Sequence, residues 1–217
     1  NGCIWLEYQP TVRIQDARIA SLEALIRWQH PDFGTVAPDR WIPLAEQVGM
    51  IHHVTLWVVD RVCEDMSALK ARHGDHIAVA VNISANDLTH PDFLEKVKAI
   101  VQHHGAQPSD LILEITETAM MADTALAKVV IRTLSQSGFR IAVDDFGTGH
   151  SSLGTLATFE LDELKIDRSF LSDILTQPAR QRIFRAALDL GEALDLDVVV
   201  EGVEEEAIAA WLQQFPG

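Results

Sequence analysis

The sequence predicts an α/β fold built around a largely parallel sheet, and three observations carry that expectation. Short β-branched runs alternate with longer segments whose apolar residues recur at a 3.6-residue period. Helix patterns separate most of the strand patterns, which demands crossover connections and so parallel neighbours. Polar residues recur near the C-terminal ends of the strand patterns, the end at which a parallel barrel gathers its chemistry. A barrel with an extra N-terminal strand and an open doubly wound sheet both fit these three facts.

The elements follow in order. Residues 4–9 and 18–28 read as two successive strands, one of them ahead of the repeating pattern. Residues 38–48 read as a helix with Pro38 in its first turn, where a missing N–H costs nothing, and 54–71 as a second helix. Strand 77–83, helix 93–103, strand 111–116 and helix 122–137 come next, followed by strands 139–144 and 163–167, helix 180–194, strand 197–201 and helix 204–214. Gly49, Gly105, Gly138 and, less comfortably, Gly191 fall near helix ends or in the turns that follow.

No low-complexity tract, Gly/Ser linker or charge block divides the 217 residues, so 1–217 reads as one domain with a core of ordinary size. The 32 acids against 17 bases set a net charge of −15, a field that repels DNA, RNA and anionic lipid. No apolar run approaches the roughly 18–20 residues that span a bilayer. Cys3 and Cys63 lie far apart with no Cys-x-x-Cys pair, which argues against a disulfide framework or thiolate metal site and fits a reducing cytoplasm.

The acids carry the functional reading. Glu23, Asn82, Glu114, Asp144, Asp145, Lys165, Asp167 and Glu201 all sit at or near strand C-termini. An acid after a strand is often only the cap of the next helix. Glu23 and Glu114 resist that reading, because apolar neighbours flank each within a strand and an unpaired buried carboxylate costs several kcal/mol, on the order of 3–5. They need a cation or a proton. Carboxylates with one amide carbonyl form a hard oxygen set suited to Mg²⁺, Mn²⁺ or Ca²⁺ rather than zinc or copper. The adjacent Asp144 and Asp145 suit two ions, one carboxylate bridging both. The carboxylates of Glu23, Glu114, Asp144, Asp145 and Glu201, two divalent ions and Lys165 come out about neutral, so a phosphodiester could enter.

Asp144-Asp145-Phe146-Gly147-Thr148-Gly149-His150-Ser151-Ser152 is a glycine-bearing turn after a strand, read beside the paired aspartates as a mobile loop coupled to the metal site. The doublets His52-His53 and His103-His104 lack a metal-binding spacing and are expected as surface or packing residues. Trp28, Trp41 and Trp57 lie in periodic apolar segments and are expected in the core, Trp28 close to the mouth through its neighbour Arg27.

Glu23-Ala24-Leu25 followed by Ile26-Arg27-Trp28, then Val81-Asn82-Ile83-Ser84, Glu114-Ile115-Thr116-Glu117, Asp144-Asp145-Phe146-Gly147-Thr148-Gly149, Lys165-Ile166-Asp167 and Glu201-Gly202-Val203-Glu204 resemble, in order and spacing, the EAL-domain cyclic di-GMP phosphodiesterases. The likeness covers nearly the whole chain. It implies an α/β (β/α)₈ TIM-like barrel with an antiparallel first strand pair. The implied activity is hydrolysis of cyclic di-GMP to linear pGpG, by two-metal activation of water with Mg²⁺ or Mn²⁺ and with Ca²⁺ inhibitory. By position, Glu23, Asn82, Glu114 and Asp144 would hold the first ion. Asp144 would be shared, with Asp145 on the second ion and Glu201 beside that ion and its water. Lys165 would orient or stabilise the water. Arg27 resembles a phosphate-binding arginine, Gln9 in Tyr-Gln-Pro, Asp167 and Glu204 resemble substrate contacts, and Glu117 resembles the glutamate that braces the 144–152 loop. In such enzymes that loop reaches a dimer interface, so the resemblance also implies a homodimer.

Two departures stand out. His150 replaces a more usual Tyr, outside the ligand set. The chain stops at Phe215-Pro216-Gly217, before the final strand and Gln-Gly-aromatic segment that close such barrels, and it opens without Met. The expectation is a domain trimmed from a longer, multidomain signalling protein with upstream sensory or diguanylate-cyclase domains, cytoplasmic itself even if its parent is membrane-anchored. The rival expectation is a non-catalytic cyclic di-GMP receptor. A Mg²⁺-dependent barrel of the enolate-stabilising kind would explain the acids, but neither the Asp-Asp doublet nor the six spaced motifs.

Overall fold

The computed structural model describes residues 3–122, 124–148 and 153–215. Strands β1 (Cys3–Val12) and β2 (Ile19–His30) form an antiparallel pair, and β3 (Gly34–Val36) folds back on the end of β2. Helices α1 (Pro38–Gln47) and α2 (Ile51–His73) lead to β4 (Val79–Ile83), which lies parallel to β2. Then α3 (Ala85–Thr89) and α4 (Phe93–His104) precede β5 (Leu111–Thr116), and α5 (Glu117–Ala122) and α6 (Thr124–Gln136) precede β6 (Arg140–Phe146). Helix α7 (Leu153–Leu156) precedes β7 (Glu163–Ile166), α8 (Pro178–Ala193) precedes β8 (Asp197–Val200), and α9 (Glu206–Leu212) follows.

The sheet runs β1-β2-β4-β5-β6-β7-β8, every neighbour from β2 onward being parallel. It curls: Lys165 on β7 reaches Glu23 on β2 at 3.4 Å although three strands lie between them. Among the described residues β8 does not pair with β1, so the expected barrel-like α/β sheet is present and open between those edges.

Side-chain alternation divides the strands between two environments. Val79 and Val81, Leu111, Leu113 and Ile115, Ile141 and Val143, and Leu164 face the helices and join the main core. The alternate positions face inward, where Ala80, Ile112 and Ala142 meet Ala78 in a small cluster of their own. Farther along the same strands, that inward parity falls on Asn82, Glu114, Asp144 and Lys165. Small apolar residues thus fill the lower interior, and polar ones emerge at the strand ends. Gly191 sits in the last turn of α8, where an added Cβ would overlap Val198 of β8; helix and strand approach closely because the residue has no side chain.

Several elements differ from the sequence expectation. The three-residue β3 and the short α3, α5 and α7 are too brief to show a period. The helix expected over 122–137 is α6, with the unexpected α5 just ahead of it, and α2 starts at Ile51 rather than 54. Trp57 is 38% exposed: the long α2 turns it outward toward a shallow hollow lined by Ile4, Trp5, Leu6, Arg61 and Asp65. Trp28 and Trp41 are half-buried and meet edge to face at 5.8 Å. His52 is a packing histidine, buried with Nδ1 3.2 Å from the fully buried Asp87, while His104 pairs with Asp60 at 2.9 Å. His150 lies outside the described residues.

Candidate metal centre

Lys165 is the hub of the site. Its Nζ lies 2.6 Å from Glu114, 2.9 Å from Glu201, 3.3 Å from Asp144 and 3.4 Å from Glu23. These four acids come from β5, the end of β8, β6 and β2, so one cation gathers carboxylates from across the curled sheet. Asn82 on β4 donates from Nδ2 to Glu23 Oε1 at 3.1 Å, which leaves its carbonyl oxygen available to a cation.

Asp145 joins through a break in the strand. Regular alternation would point Asp144 and Asp145 to opposite faces. The β6–β7 register shifts between Val143 and Phe146, and Asp145 takes a left-handed φ of 55°. This bulge and its strained residue turn the second carboxylate back, so that oxygens of Asp144, Asp145 and Glu201 lie within 4.8 Å of one another.

The electrostatics show a site short of positive charge. Burial pushes the Glu114 carboxyl well above its ordinary range, against the pull of Lys165 and with help from Glu23 and Asp144. Burial also raises Asp145, with Asp144 and Asp167 adding to it, and raises Glu201 against Lys165. Burial works against the Lys165 ammonium, yet Glu114, Asp144, Glu23 and Glu201 together hold it above the usual lysine range. Glu114 Oε2 is buried with no hydrogen-bond partner among the described residues. An orphaned carboxylate oxygen within an all-oxygen donor set fits a hard divalent cation.

The remaining sequence candidates divide. Glu117, buried at the start of α5, accepts the Gly147 backbone N–H at 3.0 Å. Gln9 on β1 lies opposite Glu23 in register and is exposed. Arg27 lies farther along β2, its Nε 2.7 Å from Glu7. Asp167 caps the turn after β7, accepting the Ser169 N–H at 2.9 Å. Burial opposes its ionisation, but the Ser169 hydroxyl and backbone bonds outweigh that and hold it low. Glu204 is exposed beyond β8 and takes part in no described ion pair.

Compared with known protein families, residues 1–216 match the EAL domain. The chain belongs to the EAL domain family. This EAL domain is 40% identical over 211 residues to the bifunctional diguanylate cyclase/cyclic di-GMP phosphodiesterase MucR of Pseudomonas aeruginosa, covering 97% of the chain and 31% of that protein. It is 38% identical over 209 residues to the cyclic di-GMP phosphodiesterase NbdA of the same species, covering 96% of the chain and 27% of NbdA. The chain thus spans roughly a quarter to a third of these relatives. Among solved structures, the PaMucR phosphodiesterase in complex with c-di-GMP superposes with a TM-score of 0.91 at 37% identity, covering 97% of this chain and 85% of that one. No described helix of the EAL domain is long and apolar enough to cross a membrane.

Sequence reasoning passed over two polar residues that the structure makes prominent. Asp87 is fully buried and accepts from Thr55 and Ser84; the Ser84-x-x-Asp87 capping box was its signal. Glu7 contacts Arg27 at the rim; its signal was the alternation that puts Trp5, Glu7 and Gln9 on one face of β1.

Proposed function

We propose that this EAL domain hydrolyses cyclic di-GMP to linear pGpG. One observation carries the reading: carboxylates from four strands converge on Lys165, and Glu114 among them keeps its second oxygen buried and orphaned among the described residues. The likeness to MucR and NbdA, both named as cyclic di-GMP phosphodiesterases, supports the substrate.

Glu23, Asn82, Glu114 and Asp144 would hold one Mg²⁺ or Mn²⁺ ion, and Asp144, Asp145 and Glu201 a second. When bound, such ions ease the deprotonation of water and neutralise charge on a phosphodiester. Lys165 donates from Nζ to orient the attacking water and to balance charge on the phosphoryl oxygens. Arg27 binds phosphate at the rim, while Gln9, Asp167 and Glu204 contact the rest of the dinucleotide. Glu117 braces the turn at Gly147 beside Asp145. No side chain needs to form a covalent intermediate. The parent protein carries further signalling domains, and the EAL domain acts as a homodimer in the cytoplasm.

Incubation of the purified protein with cyclic di-GMP and Mg²⁺ or Mn²⁺, followed by chromatography, tests the reading. The expected result is pGpG that disappears with EDTA and falls with Ca²⁺. Tight binding of cyclic di-GMP without product in either metal would replace the enzyme with a receptor.

A further inference from the structure

We infer that Glu7 is a positioning residue for Arg27: it fixes the guanidinium so that the remaining N–H groups meet an incoming phosphodiester. The inference rests on the phosphodiesterase reading above. The antiparallel register sets Trp5 opposite Arg27, Glu7 opposite Leu25 and Gln9 opposite Glu23. Alternation therefore puts Glu7 and Arg27 on the same face as Glu23, the face that reaches Lys165.

Glu7 Oε2 accepts from Arg27 Nε at 2.7 Å, and Arg27 Nη1 donates to the Ile26 carbonyl at 3.1 Å. The Trp5 indole N–H donates to the other Glu7 oxygen at 3.4 Å. A guanidinium has five N–H donors in a rigid fork. With Nε and one side of Nη1 engaged, Nη2 and the other Nη1 hydrogen have no partner among the described residues and form a forward edge of the kind that binds phosphate bidentately. Holding a long side chain in its bound orientation lowers the entropy cost of binding. The same carboxylate could instead compete with phosphate for Arg27, and the two effects have opposite signs on affinity.

The experiment measures kcat and KM for cyclic di-GMP with Mg²⁺, its calorimetric Kd and thermal stability, in wild type, Glu7→Ala, Glu7→Gln, Arg27→Ala and the Glu7→Ala/Arg27→Ala double variant. The expected result is a KM and Kd raised about three- to tenfold in Glu7→Ala with kcat within about twofold of wild type. Glu7→Gln, whose amide oxygen accepts the same N–H, restores most of the affinity, and Glu7→Ala adds nothing once Arg27 is gone. Unchanged or tighter binding in Glu7→Ala overturns the inference, as does an equal loss in the Gln variant or additive losses in the double variant. A wild-type protein that neither binds nor cleaves cyclic di-GMP overturns the underlying reading as well; a normal wild type with unaffected Glu7 variants overturns the positioning role alone.

Discussion

Lys165 donates to Glu114 at 2.6 Å where both side chains are shut off from water, 4% and 1% exposed. A buried pair of this kind repays its desolvation only if its surroundings are satisfied. Here one ammonium answers four carboxylates, so Lys165 holds the cluster together without neutralising it.

Replacing Lys165 with Met should expose that imbalance. We expect a loss of about 3–5 kcal/mol in the metal-free protein, loss of turnover, and a larger rise in melting temperature on adding Mn²⁺ than wild type shows, because binding to the folded state alone stabilises it. Thermal unfolding with and without Mn²⁺ checks this, and an unchanged melting temperature without metal would count against the hub role.

Asp144→Asn and Glu23→Ala each remove one carboxylate from the Lys165 cluster. Turnover should fall at least about a hundredfold with circular dichroism unchanged, and Mn²⁺ should no longer raise the melting temperature as it does in wild type. Hydrolysis at the wild-type rate in either variant would refute the metal assignment.

Gly147 combines a left-handed φ of 94° with a backbone N–H held by Glu117, and a Cβ there would run into the Phe170 ring. Gly147→Ala should cost about 1–3 kcal/mol and lower kcat by displacing the turn beside Asp145. Glu117→Ala should lower kcat as well, and Glu117→Gln less, since its amide oxygen still accepts the N–H. Steady-state kinetics and denaturant unfolding of the three variants provide the check.

Burial lowers His52 below the ordinary histidine value of 6.5, against the pull of its Asp87 hydrogen bond and with some help from His90 and Lys96. Asp87 accepts from Thr55 and from the Ser84 hydroxyl and backbone N–H through one carboxyl oxygen, and its other oxygen lies 3.2 Å from His52 Nδ1. Nε2 is buried with no hydrogen-bond partner among the described residues, and the ring stacks on His90 at 3.7 Å. As pH falls, the unfolded chain takes up a proton at His52 before the folded one. The contribution is therefore full above pH 6.5 and declines as pH drops through that value toward the folded pKa. Denaturant unfolding at two values on either side should show wild type losing more stability than His52→Gln, by about 1.4 kcal/mol per unit of depression. Groups with raised pKa, Glu114, Asp145, Glu163 and Glu201, act in the opposite sense and cancel in the difference. Parallel pH profiles in the two proteins would refute the assignment.

Much of the architecture was legible because its signals are local. Strand β5 lies where its apolar run predicts, α1 begins at Pro38 as expected, and Glu114, Asp144 and Glu201 stand near or just past strand C-termini, whereas Glu23 falls in the first half of the long β2. Elements under about six residues left no period to read, and Trp57 shows why apolar periodicity alone misplaces a residue: a long helix has more apolar surface than its neighbours cover.

Within the site, the sequence by itself determined which residue types are present and which strand carries each. Tertiary structure decided how they meet. The curl of the sheet brings Glu23 within reach of Lys165 from four strands away, and a bulge turns Asp145 against its alternation. Asp167 serves a cap, and Glu7 came forward only when the β1–β2 register set it beside Arg27. Alternation and capping are encoded within a few residues, whereas curl, register and bulge are set by packing summed over all the strands at once, which no single segment records.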